Sequence, residues 1–173
     1  VFQSRPQNDK LKSTMVNYVK ADTLTNNIII VSDSKHTQIS NSLKRDFNSA
    51  KQVYSRKNKK TGADDFFVTK EDIEEGLKPG KNVVFLETKN EGFVSNVTSI
   101  LASLIQNEDL ERKTEVVEII LVTTNMNNAF TGDGVSNEHL SKLQLHYVAT
   151  SKSYNETDNN AFVKRYKNLY STT

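Results

Sequence analysis

Ile28-Ile29-Ile30-Val31 is a run of four β-branched side chains with no polar residue among them. A strand with one wet face alternates apolar and polar positions, so an unbroken run belongs to a strand covered on both faces. Three further runs share this character: Val83-Val84-Phe85-Leu86, Glu118-Ile119-Ile120-Leu121-Val122 and, less fully, Leu145-His146-Tyr147-Val148. Each is flanked by a segment of helical period. Buried strands alternating with helices predict a parallel sheet sandwiched between helical layers.

Working outward, residues 9–21 place Leu11, Met15, Val16 and Val19 on one helical face, with Asp9 as N-cap. Asn26-Asn27 break the pattern ahead of a first strand over 28–32. A helix over 37–50 would bury Ile39, Leu43 and Phe47. Gln52-Val53-Tyr54-Ser55 is half polar and suits a sheet edge. Thr69 and Asp72 form a capping box for a helix that presents Ile73 and Leu77 and ends at Pro79-Gly80. Strand three spans 82–87, a helix over 90–107 presents Phe93, Val97, Ile100, Leu101 and Leu104, and strand four covers 116–123. Strand five, 145–150, alternates and suits the other edge. A last helix over 157–170 would carry Phe162, Tyr166 and Leu169. With right-handed crossovers, the expected fold is α/β: a doubly wound, mainly parallel five-stranded sheet of flavodoxin-like order 2-1-3-4-5.

The 173 residues suit one such α/β lobe, and no repeat or second core divides it. Val1 opens the chain without Met or a signal-peptide pattern, so a segment of a longer two-lobe polypeptide is expected. The net charge of +2 is small for a protein that neutralises phosphates, and no nucleic-acid partner is expected. The basic cluster Arg56-Lys57-Asn58-Lys59-Lys60 reads as a solvated loop. With no cysteine, there is no thiolate nucleophile and no disulfide. No apolar run of about 18 residues offers direct membrane insertion.

Open parallel sheets hold ligands in loops beyond the carboxyl ends of their strands, which here are residues 32–37, 87–92 and 123–130. The first, Ser32-Asp33-Ser34-Lys35-His36-Thr37, is rich in polar groups but lacks the glycines of a phosphate-binding loop. It reads equally well as a cap and turn. A receiver-like signalling domain would share the topology, with Asp33, Thr123 or Thr124, and Lys152 in suggestive places. Glu87 stands where its phosphoacceptor Asp would be, however, so the transfer lacks its nucleophile. His36, His139 and His146 show no ligand spacing, and neither a metal nor a cofactor is expected. No Gly-x-Ser-x-Gly elbow occurs. Asp64-Asp65 and Glu74-Glu75 read as solvated charge, and the sequon at Asn96 falls inside a helix. No catalytic set assembles, so an enzyme is not expected.

Val1-Phe2-Gln3-Ser4-Arg5-Pro6-Gln7-Asn8-Asp9 resembles the entry into the second lobe of type I periplasmic-binding-protein-like receptors, the branched-chain amino acid binding family. The resemblance continues through Ile29 to Ser34 and in Ala161 to Tyr170, which is similar to the helix preceding the return crossover to lobe one. Leu77-Lys78-Pro79-Gly80-Lys81-Asn82-Val83-Val84 and Thr123 to Phe130 are similar to segments of Bacteroidetes members, some with LysM modules. The resemblance implies a non-catalytic lobe that binds a small-molecule ligand or peptidoglycan fragment against a second lobe of the parent chain. It also implies a transport-linked role in the periplasm or cell envelope. Its ligand contacts would be Asp33, Ser34, Lys35, His36, Glu87, Thr88, Thr124 and Asn125. Family members carry a Tyr-Gly pair where His36-Thr37 stands, and an acidic residue for the ligand's ammonium where Asn125 stands. The alternative is a structural or protein-interaction module that keeps the fold without a ligand.

Overall fold

The structure, a computed structural model, describes residues 8–106 and 117–149. Its helices are α1 (Asn8–Ala21), α2 (Thr37–Asp46), α3 (Lys70–Glu74), α4 (Glu91–Gln106) and α5 (Asn137–Lys142). Its strands are β1 (Thr25–Ser32), β2 (Lys51–Tyr54), β3 (Gly80–Glu87), β4 (Val117–Thr123) and β5 (His146–Tyr147). All four strand pairs are parallel and the order is β2-β1-β3-β4-β5, the doubly wound arrangement expected from the apolar runs.

Alternate residues of each strand face opposite layers. Ile30, Val83, Phe85, Ile120 and Val122 pack with Met15, Val16 and Val19 of α1 and with Leu43 and Phe47 at α2. Ile29, Val31, Val84, Leu86 and Leu121 pack against Ile73 of α3 and Phe93, Val97 and Leu101 of α4. Full burial of each such side chain is worth about 2 kcal/mol, so both layers are needed to hold the sheet. The two layers explain why these strands read as unbroken apolar runs.

The helix ahead of β1 has a definite seat. Lys12 Nζ reaches Ser42 Oγ at 2.6 Å and Asp46 at 2.7 Å, tying α1 to α2. Tyr18 stacks on His146 of β5 with ring centroids 5.6 Å apart. Helix α1 therefore lies between α2 and the β5 edge, and its first residues stand near the carboxyl ends of the strands.

Several boundaries differ from expectation. β1 begins at Thr25, so Asn27 is inside the strand; it is buried and donates to Gly76 O and Asn82 Oδ1 rather than breaking the pattern. β5 is limited to His146–Tyr147, because Leu145 N turns back to bond Leu140 O. Helix α2 stops at Asp46, yet Phe47 remains buried. The Thr69–Asp72 capping box is present, and Gly80, at φ +89°, makes the turn into β3 that a side chain would strain. Helix α5, capped by Ser136, has no counterpart in the sequence reading. The expected helix over 157–170 lies outside the described residues, as does Lys152.

Candidate functional site

In the order β2-β1-β3-β4-β5 the chain reverses direction of travel between β1 and β3, and there the connections leave to opposite faces. An open cavity of about 150 Å³ sits over this point. Asn8 and Asp9 of α1 line one side, and His36 and Ile39 line another. Glu87, Thr88 and Lys89 after β3, and Thr124, Asn125 and Asn127 after β4, complete the lining. The loops chosen from strand-end geometry therefore converge.

Local capping chemistry holds them there. Asp33 caps the short 3-10 turn Ser34–His36 by accepting from Lys35 N at 2.8 Å. The same oxygen lies 2.7 Å from His36 Nδ1, while its second oxygen accepts from Thr88 Oγ1 at 2.5 Å. One buried carboxylate thus joins the β1 loop to the β3 loop and fixes the His36 ring at the cavity wall. With Nδ1–H donating to Asp33, Nε2 is the ring nitrogen left for a ligand or a proton. Asn127 donates from Nδ2 to Thr88 O and Asn125 O, both at 3.0 Å, and accepts from Ala129 N. Asn90 caps α4 through Phe93 N, and its own N–H donates to Thr88 Oγ1.

Glu87 is the most unusual group. It is only 4% exposed, and both its oxygens accept from one residue: Oε1 from Thr124 N and Oε2 from Thr124 Oγ1, each at 2.8 Å. Burial pushes its carboxyl up to about 7, against the opposing pull of the two Thr124 bonds. A carboxyl poised near neutrality in a cleft is a functional-site feature.

Of the eight residues expected to touch a ligand, His36, Glu87, Thr88, Thr124 and Asn125 line the cavity. Asp33 stands behind His36 and Thr88. Ser34 and Lys35 turn instead toward the loop after β2: Ser34 N donates to Asp64 at 2.8 Å, and Lys35 Nζ lies 5.9 Å from the Phe66 ring centroid. Lys89 and Asn127 lie in the loops expected after β3 and β4, though not among the eight residues expected to touch a ligand, and Asn8, Asp9 and Ile39 lie outside those loops. No local pattern marks Asn8 and Asp9, because α1 reaches the site through its packing on α2 and β5.

Asp64, read from sequence as solvated, is a knot. Burial raises its carboxyl, but donors from Ser34, Ser55 and Phe66 prevail and hold it below the usual range. Arg56 leaves the basic cluster to pair with Asp72, whose carboxyl it lowers to about 2. Asn96 accepts from Val68 N inside α4. Among the described residues no group of His, Asp and Glu could hold a metal ion, and no helix is long and apolar enough to cross a membrane. The Thr88 and Thr124 hydroxyls are each bonded to a carboxyl group, and among the described residues no hydrogen bond links either to His36. No family model matches the chain, and no curated protein matches it.

Proposed function

We propose that the chain is a non-catalytic ligand-binding lobe of a periplasmic-binding-protein-like receptor, taking a small solute or cell-wall fragment in the cell envelope. The observation that carries the binding reading is the cavity over the β1–β3 reversal, where three loops and the start of α1 present convergent polar groups. His36, Thr124 and the side-chain amide of Asn125 offer both donors and acceptors, which suits a polar solute rather than an apolar one. The resemblance along the chain supplies the receptor and envelope part of the reading. On that reading, a second lobe of the parent chain closes over the same loops.

A single lobe contributes only part of a closed site, so binding by this chain alone is expected to be weak. Titrating the isotope-labelled 173-residue chain with amino acids, dipeptides and muropeptide fragments should produce saturable amide shifts at His36, Thr88 and Thr124 for at least one compound. His36→Ala should weaken that compound by about tenfold, the worth of one lost hydrogen bond to a polar ligand. Silence across the panel would overturn the receptor reading and favour a protein-interaction module.

A further inference from the structure

The two contacts between Glu87 and Thr124 are not alike. Thr124 N–H can only donate, so Oε1 is always an acceptor. The contact between Oε2 and Thr124 Oγ1 is reversible, because a hydroxyl and a protonated carboxyl can each donate to the other. With Glu87 ionised, the Thr124 proton is committed to Oε2 and the hydroxyl of this cavity-lining residue has only lone pairs left to offer. With Glu87 protonated, Oε2–H donates to Oγ1 and the Thr124 proton is released toward the cavity. Both contacts survive in either state, so no backbone movement is needed.

We propose that the Glu87–Thr124 pair is a proton-controlled selector in this cavity: ionised, it accepts a small cationic, hydrogen-donating group such as a primary ammonium; protonated, it rejects that group and favours a neutral acceptor. The inference rests on the reading of the cavity as a solute site. Burial holds the Glu87 carboxyl at about 7, so both states are populated near neutral pH. The shift comes from burial, not from a neighbouring charge. The other ionisable groups around the cavity are Asp9 from α1, His36 with Asp33 behind it from the turn before α2, and Lys89 after β3. The loop after β4 supplies only the neutral Thr124, Asn125 and Asn127. Lys89 makes no bond to Glu87 among the described groups, which leaves that carboxyl available to an incoming cation.

The test uses the full chain and two probes of similar size, ethylammonium and acetamide. If only the ionised form accepts the cation, apparent affinity scales with the ionised fraction, giving about a thirtyfold gain for ethylammonium between pH 5.5 and 8.5. Acetamide should show the opposite trend. Glu87→Gln keeps both contacts, since the amide oxygen accepts from Thr124 N and the amide N–H donates to Oγ1. It should therefore behave as the protonated form at every pH, with ethylammonium weak and independent of pH. Carboxyl carbon shifts of the ligand-free chain should report a Glu87 midpoint near 7. A midpoint near 4.5, or ethylammonium binding with the same pH profile in Glu87→Gln and the parent, overturns the selector while leaving solute binding intact. A silent solute panel together with pH-dependent ethylammonium binding removes the receptor reading and leaves the selector standing.

Discussion

The sheet buries polar side chains at both ends of its central strands, and the two ends treat them differently. At the amino end Asn27 of β1 and Asn82 of β3 form a neutral knot. Asn27 donates to Gly76 O at 2.6 Å and Asn82 Oδ1 at 2.9 Å. Asn82 accepts from Lys78 N as well and donates to the carbonyls of Lys78, Gly80 and Glu118. No charge is buried there, and the bonds tie the β3 entry to its neighbours. At the carboxyl end the same two strands finish in Ser32 and Glu87, register partners that face the α1–α2 layer. There a carboxyl is held without a cation, a buried hydroxyl has no partner among the described groups, and a cavity opens beside them. A satisfied neutral network rigidifies, whereas a buried carboxyl lacking a countercharge costs stability and is a mark of a site.

The largest expected effect is therefore at the structural end. Asn82→Ala leaves the Lys78 N–H without its acceptor and strips a donor from three carbonyls, beside a gap in a fully buried position. Unsatisfied buried groups plus lost packing give an expected cost of about 4 kcal/mol in urea unfolding at pH 7. A loss below about 1 kcal/mol would mean that the knot is incidental and that the contrast between the ends is false.

Next in size is Glu87→Gln, whose effect on stability should depend on pH. The carboxyl titrates near 7 when folded and near its ordinary 4.5 when unfolded, so the native state binds more protons across that window. Stability then falls as pH rises from about 4.5 to about 7 and stays low above it, by about 3 kcal/mol in total. Gln has nothing to ionise and retains both Thr124 contacts. The variant should match the parent at pH 4 and exceed it by up to about 3 kcal/mol at pH 8. Parallel unfolding curves for the two proteins at both pH values would show that Glu87 carries no such penalty.

How much of this contrast was legible in the sequence follows from the range of the interactions. The carboxyl end was found because strand direction alone says which loops can meet, and the unbroken runs at Ile28–Val31 and Val83–Leu86 revealed the direction. The amino end was misread. Two adjacent asparagines look like turn residues, and the partner that makes Asn27 a strand residue is Asn82, 55 positions away. Helix α5 escaped notice because its six residues carry one apolar side chain, Leu140, and periodicity cannot register in a span so short. Ser34 and Lys35 are expected at the site because the family resemblance places ligand contacts across residues 33–36. The 3-10 turn capped by Asp33 rotates them toward Asp64 and Phe66, a choice set by a loop 30 residues on.

The smallest effect sharpens the comparison most. Ser32 is completely buried at the end of β1, and its Oγ bonds to none of the described groups. Its strand neighbour across the ladder is Glu87. If the carboxyl end is built for a ligand rather than for stability, this hydroxyl costs desolvation that folding alone does not repay. Ser32→Ala removes the unpaired oxygen and little volume, so the chain should gain about 1 kcal/mol in denaturant unfolding. The same substitution should leave the Glu87 midpoint near 7, because burial and Thr124, not Ser32, set that value. A loss of stability in Ser32→Ala would show that the hydroxyl is satisfied in solution. The carboxyl end would then be as fully paired as the Asn27–Asn82 end, and only Glu87 would still distinguish them.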